Sequence, residues 1–447
     1  MNKSFNILFS LFVLLISVYH FDFNWTNANT VSRVLFVKAV VEDGTLIVDK
    51  YHDETNDIAF INGHYYSEKA PLPAMLVTPI YYLFYKLGFT NINDHLVFMI
   101  GNFMVGSLPF ALIILITFFS LQKLKPAPEN VFLSTLPFLG SFVFIYSGTF
   151  FAHVLTSVFI LAAYIFLKKR VNYFASGMLA AMAVLCEYAV LAIVMVWAVQ
   201  IVVNTKKIKP LLQFIAGAFP FALFLMIYNY SITGNPFEFL NSHLPGFAAT
   251  ANNLGFAHLP NLYAVIQLLF GTYRGIFFFA PMLIFFVIIW FINKNFYPKH
   301  ILTDYLVLPC LLYLLLISSY FEWYGGWCYG PRFLSVVAVL FLYQGIIKLN
   351  KVKYSKPLLY FFASIGIIFT FMAKATTLYS LPSEEHNPMF NLIIPEFFKG
   401  NWNNDNLLCK LMNIDAVTAN LIWIPILLIP LLLFYNWGKR INNQRQF

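Results

Sequence analysis

Twelve apolar runs, most of them free of charge at their centres, divide this chain from one end to the other, at 5–20, 96–121, 131–146, 151–166, 173–185, 190–203, 211–228, 275–292, 301–320, 334–349, 357–373 and 416–437. Runs of that length and repetition have one physical home. A spanning segment must satisfy its backbone internally, so each run reads as a helix threaded through a bilayer. Composition agrees: 60% of the residues are hydrophobic and 11% charged, against roughly 45–50% and 25% in soluble domains. A soluble globular enzyme, a disordered chain and a fibrous repeat are excluded. Four cysteines without a CxxC spacing exclude a disulfide framework and a zinc ribbon. The expected fold is an all-α polytopic membrane protein of about twelve transmembrane helices, a single integral-membrane domain over 1–447.

The basic residues set the orientation. Lys168, Lys169 and Arg170 close one run, and Lys206, Lys207 and Lys209 follow the run after next. One helix over 171–204 would be roughly 50 Å long at 1.5 Å per residue, against a hydrocarbon core of about 30 Å. Two short spans meeting near Glu187 keep both clusters on one side. With both termini on that side, it holds most of the 28 Lys and Arg and only Glu129 and Asp304 among the acids. Positive charge favours the cytoplasmic side, so the net charge of +9 reflects topology and not a nucleic-acid surface. The first run follows Lys3 and ends in Tyr19-His20-Phe21-Asp22 without a small-residue cleavage pattern. It reads as an uncleaved anchor.

The polar residues gather in the outer loops: 21–95, 231–274, 321–332 and 374–415. Span centres are nearly charge-free, whereas conduction or transport wants ionisable groups at mid-membrane. Chemistry is therefore expected at the outer face. In the first loop, residues 29–44 read as an amphipathic helix, with Arg33 and Lys38 between valines. Four acids follow, Asp49 to Asp57, then Gly63-His64-Tyr65-Tyr66-Ser67-Glu68-Lys69-Ala70-Pro71. Residues 73–87 read as a helix lying in the interface.

These residues carry a resemblance. The run Tyr66 to Pro71 before an interfacial helix resembles the GT-C superfamily of membrane glycosyltransferases. That superfamily includes the protein mannosyltransferases and the bacterial lipid A aminoarabinose transferases, where a Lys-Pro-Pro motif holds this place. A closer resemblance is to bacterial family-39-like transferases. It rests on Asn29-Thr30-Val31-Ser32-Arg33, Gly44-Thr45-Leu46, Asp57 before Gly63-His64-Tyr65-Tyr66, Tyr273-Arg274-Gly275, Gly325-Gly326-Trp327, Tyr329-Gly330-Pro331-Arg332, and Asn387-Pro388 before Gly400. The motifs cover nearly the whole chain in order.

The resemblance implies a GT-C-like bundle and an inverting glycosyltransferase in the bacterial cytoplasmic membrane, with its active site on the outer face. Such an enzyme takes sugar from a polyprenyl-phosphate donor and passes it to a lipid, glycan or protein acceptor. Membrane lipids are its surroundings, and neither nucleotide sugar nor nucleic acid takes part. Donor phosphate would meet Lys69, Arg274 and Arg332, since Arg suits bidentate phosphate contact. One difference stands out: Asn29 falls where the family's general-base Asp is expected, and Asn accepts no proton at neutral pH. His153 falls where a second acid is sometimes found.

The catalytic candidates are then Asp57, Glu68, His153 and Glu187, each set against a purely structural role as a solvated, hydrogen-bonding or turn residue. Asn29, Arg33, His64, Tyr66, Trp327 and Tyr329 are candidates to line the substrate. The alternative for the two aromatics is an interfacial belt. No cofactor is expected; a divalent cation on the first-loop acids is the alternative, although their spacing fits no Ca²⁺ loop. The competing functions are a flippase or transporter of lipid-linked saccharides and an O-antigen-type polymerase or ligase.

Overall fold

The computed structural model describes residues 3–22, 27–89, 95–244, 255–257, 259–293 and 300–444. Parts of the expected loops 21–95 and 231–274 lie outside these. The helices are α1 (Lys3–Val18), α2 (Ala28–Lys38) and α3 (Leu72–Lys86), then α4 (His95–Leu124), α5 (Asn130–Leu139), α6 (His153–Ile165) and α7 (Tyr173–Val184). They continue with α8 (Tyr188–Thr205), α9 (Ile208–Thr233), α10 (Leu262–Phe270), α11 (Met282–Ile292) and α12 (Val307–Ser318). Last come α13 (Arg332–Leu349), α14 (Lys356–Ala375) and α15 (Ala416–Gln444).

Six of these, α4, α8, α9, α13, α14 and α15, are long and apolar enough to cross a membrane. The other apolar runs also form helices, but shorter ones. The run 131–146 is helical only to Leu139, because Pro137 and Gly140 end it and a 3₁₀ turn over Phe142–Tyr146 follows. The run 301–320 is helical only from Val307. The architecture is that of a helical membrane protein. Helix α9 presents Leu212, Ile215, Phe219, Leu223 and Ile227 outward at three- and four-residue spacing, an apolar stripe suited to lipid. Against α7 it packs backbone to backbone: a Cβ on Gly177 would lie 1.9 Å from the Phe214 carbonyl oxygen, and one on Gly217 2.0 Å from that of Phe174. Small residues at a crossing permit such an approach.

Two expectations for the first loop change. Helix α2, capped by the Asn27 side chain on the Asn29 amide, is not amphipathic at a surface. Every residue from Thr30 to Val37 is buried, Arg33 included, because α3 and α4 pack on it along with the segments that follow. The all-α reading also misses a β-hairpin, β1 (Ile58–Ile61) paired antiparallel with β2 (His64–Ser67), in the register Ile58↔Ser67 to Ile61↔His64. Its turn is Asn62-Gly63, both at positive φ (51° and 87°), the combination a two-residue hairpin needs. Helix α3 forms as expected and leaves Tyr82, Leu83 and Leu87 exposed.

The hairpin delivers Glu68 and Lys69 to the place where α7 stops. The Leu72 amide donates to the Leu185 carbonyl at 3.0 Å, tying the first loop to the break at 185–187 between α7 and α8. Glu187 there has extended backbone (φ −150°, ψ 109°), as two helices meeting at that residue require. Helices α6 and α13 both start beside this break and run to a basic end. There Lys168 pairs with Asp304 at 3.1 Å, and Lys169 Nζ donates to the Tyr343 hydroxyl at 2.7 Å.

Candidate functional site

Five elements bring eight of the sequence candidates together. From α2 comes Arg33, 2% exposed; one of its nitrogens, Nη1, donates to the Asn29 carbonyl at 2.9 Å and to the Asn29 side-chain oxygen. Its Nη2 lies 3.9 Å from Glu187 Oε1. The same Glu187 oxygen is 3.4 Å from Nδ1 of His153, the first residue of α6. Just before and just after the hairpin stand Asp57 and the pair Glu68-Lys69. Lys69 Nζ lies 2.8 Å from Asp57 Oδ2 and also pairs with Glu68 Oε1. Arg332, at the start of α13, lies close enough to act electrostatically on Asp57, Glu187, Arg33 and His153.

The three cations differ in what they already hold. Lys69 is shared by two carboxylates. Burial works against its charge, but Asp57 and Glu68 outweigh it and hold the ammonium above its usual range. Arg33 binds Asn29 and Glu187, although burial pulls it down, and its Nε is buried without a partner. The Arg332 guanidinium has no hydrogen bond and no ion pair among the described residues, and its Nε is buried and unpartnered. It lies between the rings of Phe151 and Phe333, 5.4 and 5.1 Å from their centroids. Gly325, at φ +79°, leaves room beside it: a Cβ there would stand 3.0 Å from Arg332 Nε.

The carboxylates differ as well. Burial would raise Asp57, but Lys69, with Arg332 and Arg33 behind it, holds it below the usual range. Glu68 is buried, and burial, helped by Asp57, keeps its carboxyl raised against the pull of Lys69. Burial likewise raises Glu187 against Arg33, Arg332 and Lys69. A site with three fixed cations and two carboxyls above their usual range can bind an anion and also take up a proton.

An apolar cavity of about 310 Å³ lies along α13, its lining beginning two residues after Arg332. It starts at Leu334 and follows one face of α13 through Val337 and Phe341 to Lys348, with Cys310 and Leu314 of α12 and Phe286 of α11 opposite. From Leu334 to Lys348 is roughly 21 Å at 1.5 Å per residue.

The remaining candidates lie elsewhere. Arg274 does not face the cluster with a free guanidinium: it is fully buried and donates to the carbonyls of Tyr324 (2.8 Å), Tyr273 (3.0 Å) and Gly326 (3.0 Å). It clamps the turn leading to Arg332, with Nε, Nη1 and Nη2 each engaged by a carbonyl. His64 is exposed and pairs with Asp49 at 2.7 Å. Tyr66 is half-buried and bridges to Ile47. Trp327 is exposed; Tyr329 is fully buried, with its amide 3.1 Å from the Tyr146 hydroxyl. Neither aromatic lies in the cluster. Among the described residues no group of three His, Cys, Asp or Glu side chains is arranged to hold a metal.

Two residues passed over in the sequence stand behind the cluster. Asp22 is buried and accepts from the Tyr379 hydroxyl. The Tyr379 ring lies 4.9 Å from Phe151, itself stacked on His153 at 5.8 Å. Lys374 is buried too, donating to the Ser147 carbonyl and hydroxyl at 3.1 and 3.2 Å. An acid directly after the first apolar run and a lysine at the end of another were the available signals. Comparison with family models, curated proteins and solved structures finds no match for this chain.

Proposed function

We propose that this chain is an integral-membrane glycosyltransferase of the inverting GT-C type, multi-pass in a bacterial cytoplasmic membrane with both termini inside. It takes a sugar from a polyprenyl-phosphate donor and passes it to an acceptor hydroxyl or amine at the outer face. The observation that carries this reading is Arg332. A guanidinium without a carboxylate partner among the described residues, set against two aromatic rings two residues before the lining of an apolar cavity begins, suits an anion attached to a long hydrocarbon. Cleavage of a glycosyl phosphate puts growing negative charge on the departing phosphate, and a preorganised cation there stabilises the transition state more than the ground state. Arg33 and Lys69 add positive potential, and the polyprenyl chain would occupy the cavity along α13.

The test uses the full chain in lipid nanodiscs. It measures binding of undecaprenyl phosphate, and release of undecaprenyl phosphate from a panel of its hexose and pentose conjugates. A charge-assisted hydrogen bond contributes about 1.5–3 kcal/mol, so Arg332→Ala is expected to weaken binding by roughly ten- to a hundredfold. Absence of undecaprenyl phosphate binding to the wild type defeats the reading.

A further inference from the structure

The geometry points to Glu187 as the general base that takes the acceptor's proton, with His153 as its positioning residue; this assignment rests on the transferase reading above. The other carboxylates near the cluster are each held by a close partner, whereas Glu187 has none nearer than 3.4 Å. Asp57 and Glu68 share Lys69. Asp49 is taken by His64 and by the Tyr65 amide. Asp22 holds Tyr379. Glu187 has one working oxygen left. Its Oε1 faces both Arg33 and His153, while Oε2 has no partner among the described residues, and the side chain is 22% exposed. One oxygen faces the cationic side of the cluster and the other can be reached. The break between α7 and α8 allows this, because a residue inside either helix would point along a packed face.

His153 can hold Oε1 only with a proton on Nδ1. Its Nε2 is buried without a partner, in a ring shell of Tyr146, Phe151 and Phe333. The ionisable groups around Glu187 are Arg33 of α2, His153 of α6, Arg332 of α13, Lys69 of the first loop and Tyr313 of α12, besides its chain neighbours Cys186 and Tyr188. Burial raises the carboxyl against its cationic neighbours, in the direction that improves a base working near neutral pH.

The acceptor O–H or N–H gives its proton to Glu187 Oε2. The freed lone pair attacks the anomeric carbon on the face opposite the phosphate. The bond from that carbon to the phosphate oxygen breaks, its electron pair stays on the phosphate facing Arg332, and an inverted glycoside forms. Glu187 then releases its proton to water through its exposed side.

The experiment uses the full chain in nanodiscs, with undecaprenyl phosphate as the binding probe and its sugar conjugates as donors. Glu187→Gln is expected to bind undecaprenyl phosphate within about twofold of wild type and to release it from the conjugates at least about a hundredfold more slowly. His153→Leu, which removes the donor to the charged carboxylate, is expected to slow turnover and to move the acid limb of the pH–rate profile upward, whereas a merely structural role would leave that limb in place. A readout independent of turnover is labelling by dicyclohexylcarbodiimide, which reacts with protonated carboxyls. Its midpoint at Glu187 is expected at higher pH than at exposed carboxylates of the same protein. Turnover by Glu187→Gln within about threefold of wild type, or a labelling midpoint equal to that of the exposed acids, overturns the assignment. Loss of undecaprenyl phosphate binding by the wild type instead defeats the transferase reading itself.

Discussion

Replacing Arg33 by Met keeps most of the side-chain volume and removes a buried charge 3.9 Å from Glu187. At that distance, with an effective dielectric near 20, two unit charges interact by about 4 kcal/mol. Glu187 keeps some contact with solvent, which reduces the loss to about 2 kcal/mol at neutral pH. The loss depends on pH with a definite sign. Burial already raises the Glu187 carboxyl above its unfolded value, so the folded state is favoured when the group is protonated and loses that advantage as pH rises through the folded pKa. Removing Arg33 raises the carboxyl further and does the same to its other acidic neighbours, Glu68 and Asp57. Thermal unfolding of Arg33→Met and wild type in detergent at about pH 5, 7 and 8.5 should therefore show the deficit growing with pH. An equal deficit at all three values would refute the electrostatic reasoning and leave a packing defect.

Three further outcomes follow from the same contacts. Asp57→Asn should cost about 1 kcal/mol at pH 7, because the pair with Lys69 is only partly buried. Since that carboxyl is held below its unfolded value, the difference from wild type should shrink as pH falls through the folded pKa, read by the same unfolding assay. Arg274→Met removes three hydrogen bonds to carbonyls and should lower stability by about 2–4 kcal/mol while leaving undecaprenyl phosphate affinity less affected than Arg332→Ala does. Gly177→Ala and Gly217→Ala each place a methyl within about 2 Å of a carbonyl oxygen across the α7–α9 crossing. Each should cost about 1–3 kcal/mol, seen as earlier unfolding or as faster proteolysis in the 173–233 region.

The apolar periodicity revealed where helices stand, and the two basic clusters located the break at Glu187, because charge and length are properties of a local window. The partners of each charged residue were not legible. Arg33 and Arg332 look alike in sequence, but one is bonded by α2's own Asn29 and the guanidinium of the other has no bond among the described residues. Arg274 shares the edge position of Arg332, and only tertiary placement spends its donors on carbonyls. Helix α2 has charges at spacings that suggest a wet face, yet α3 and α4 cover that face. The hairpin's only local mark is Asn62-Gly63, two residues whose positive φ makes the turn, in a stretch read for its charges.

The separation of the cluster's members along the chain sets a schedule for its assembly. Synthesis runs at roughly 5–20 residues per second, so Arg33 emerges about 15–60 s before Arg332. During that interval the first loop already carries the complementary charges Asp57, Glu68 and Lys69, and Glu187 comes next. The nascent chain thus receives its acids and bases in near alternation. Arg332 alone arrives after every acid of the cluster is committed. The last charge delivered is the one left, among the described residues, without a side-chain hydrogen bond or ion pair.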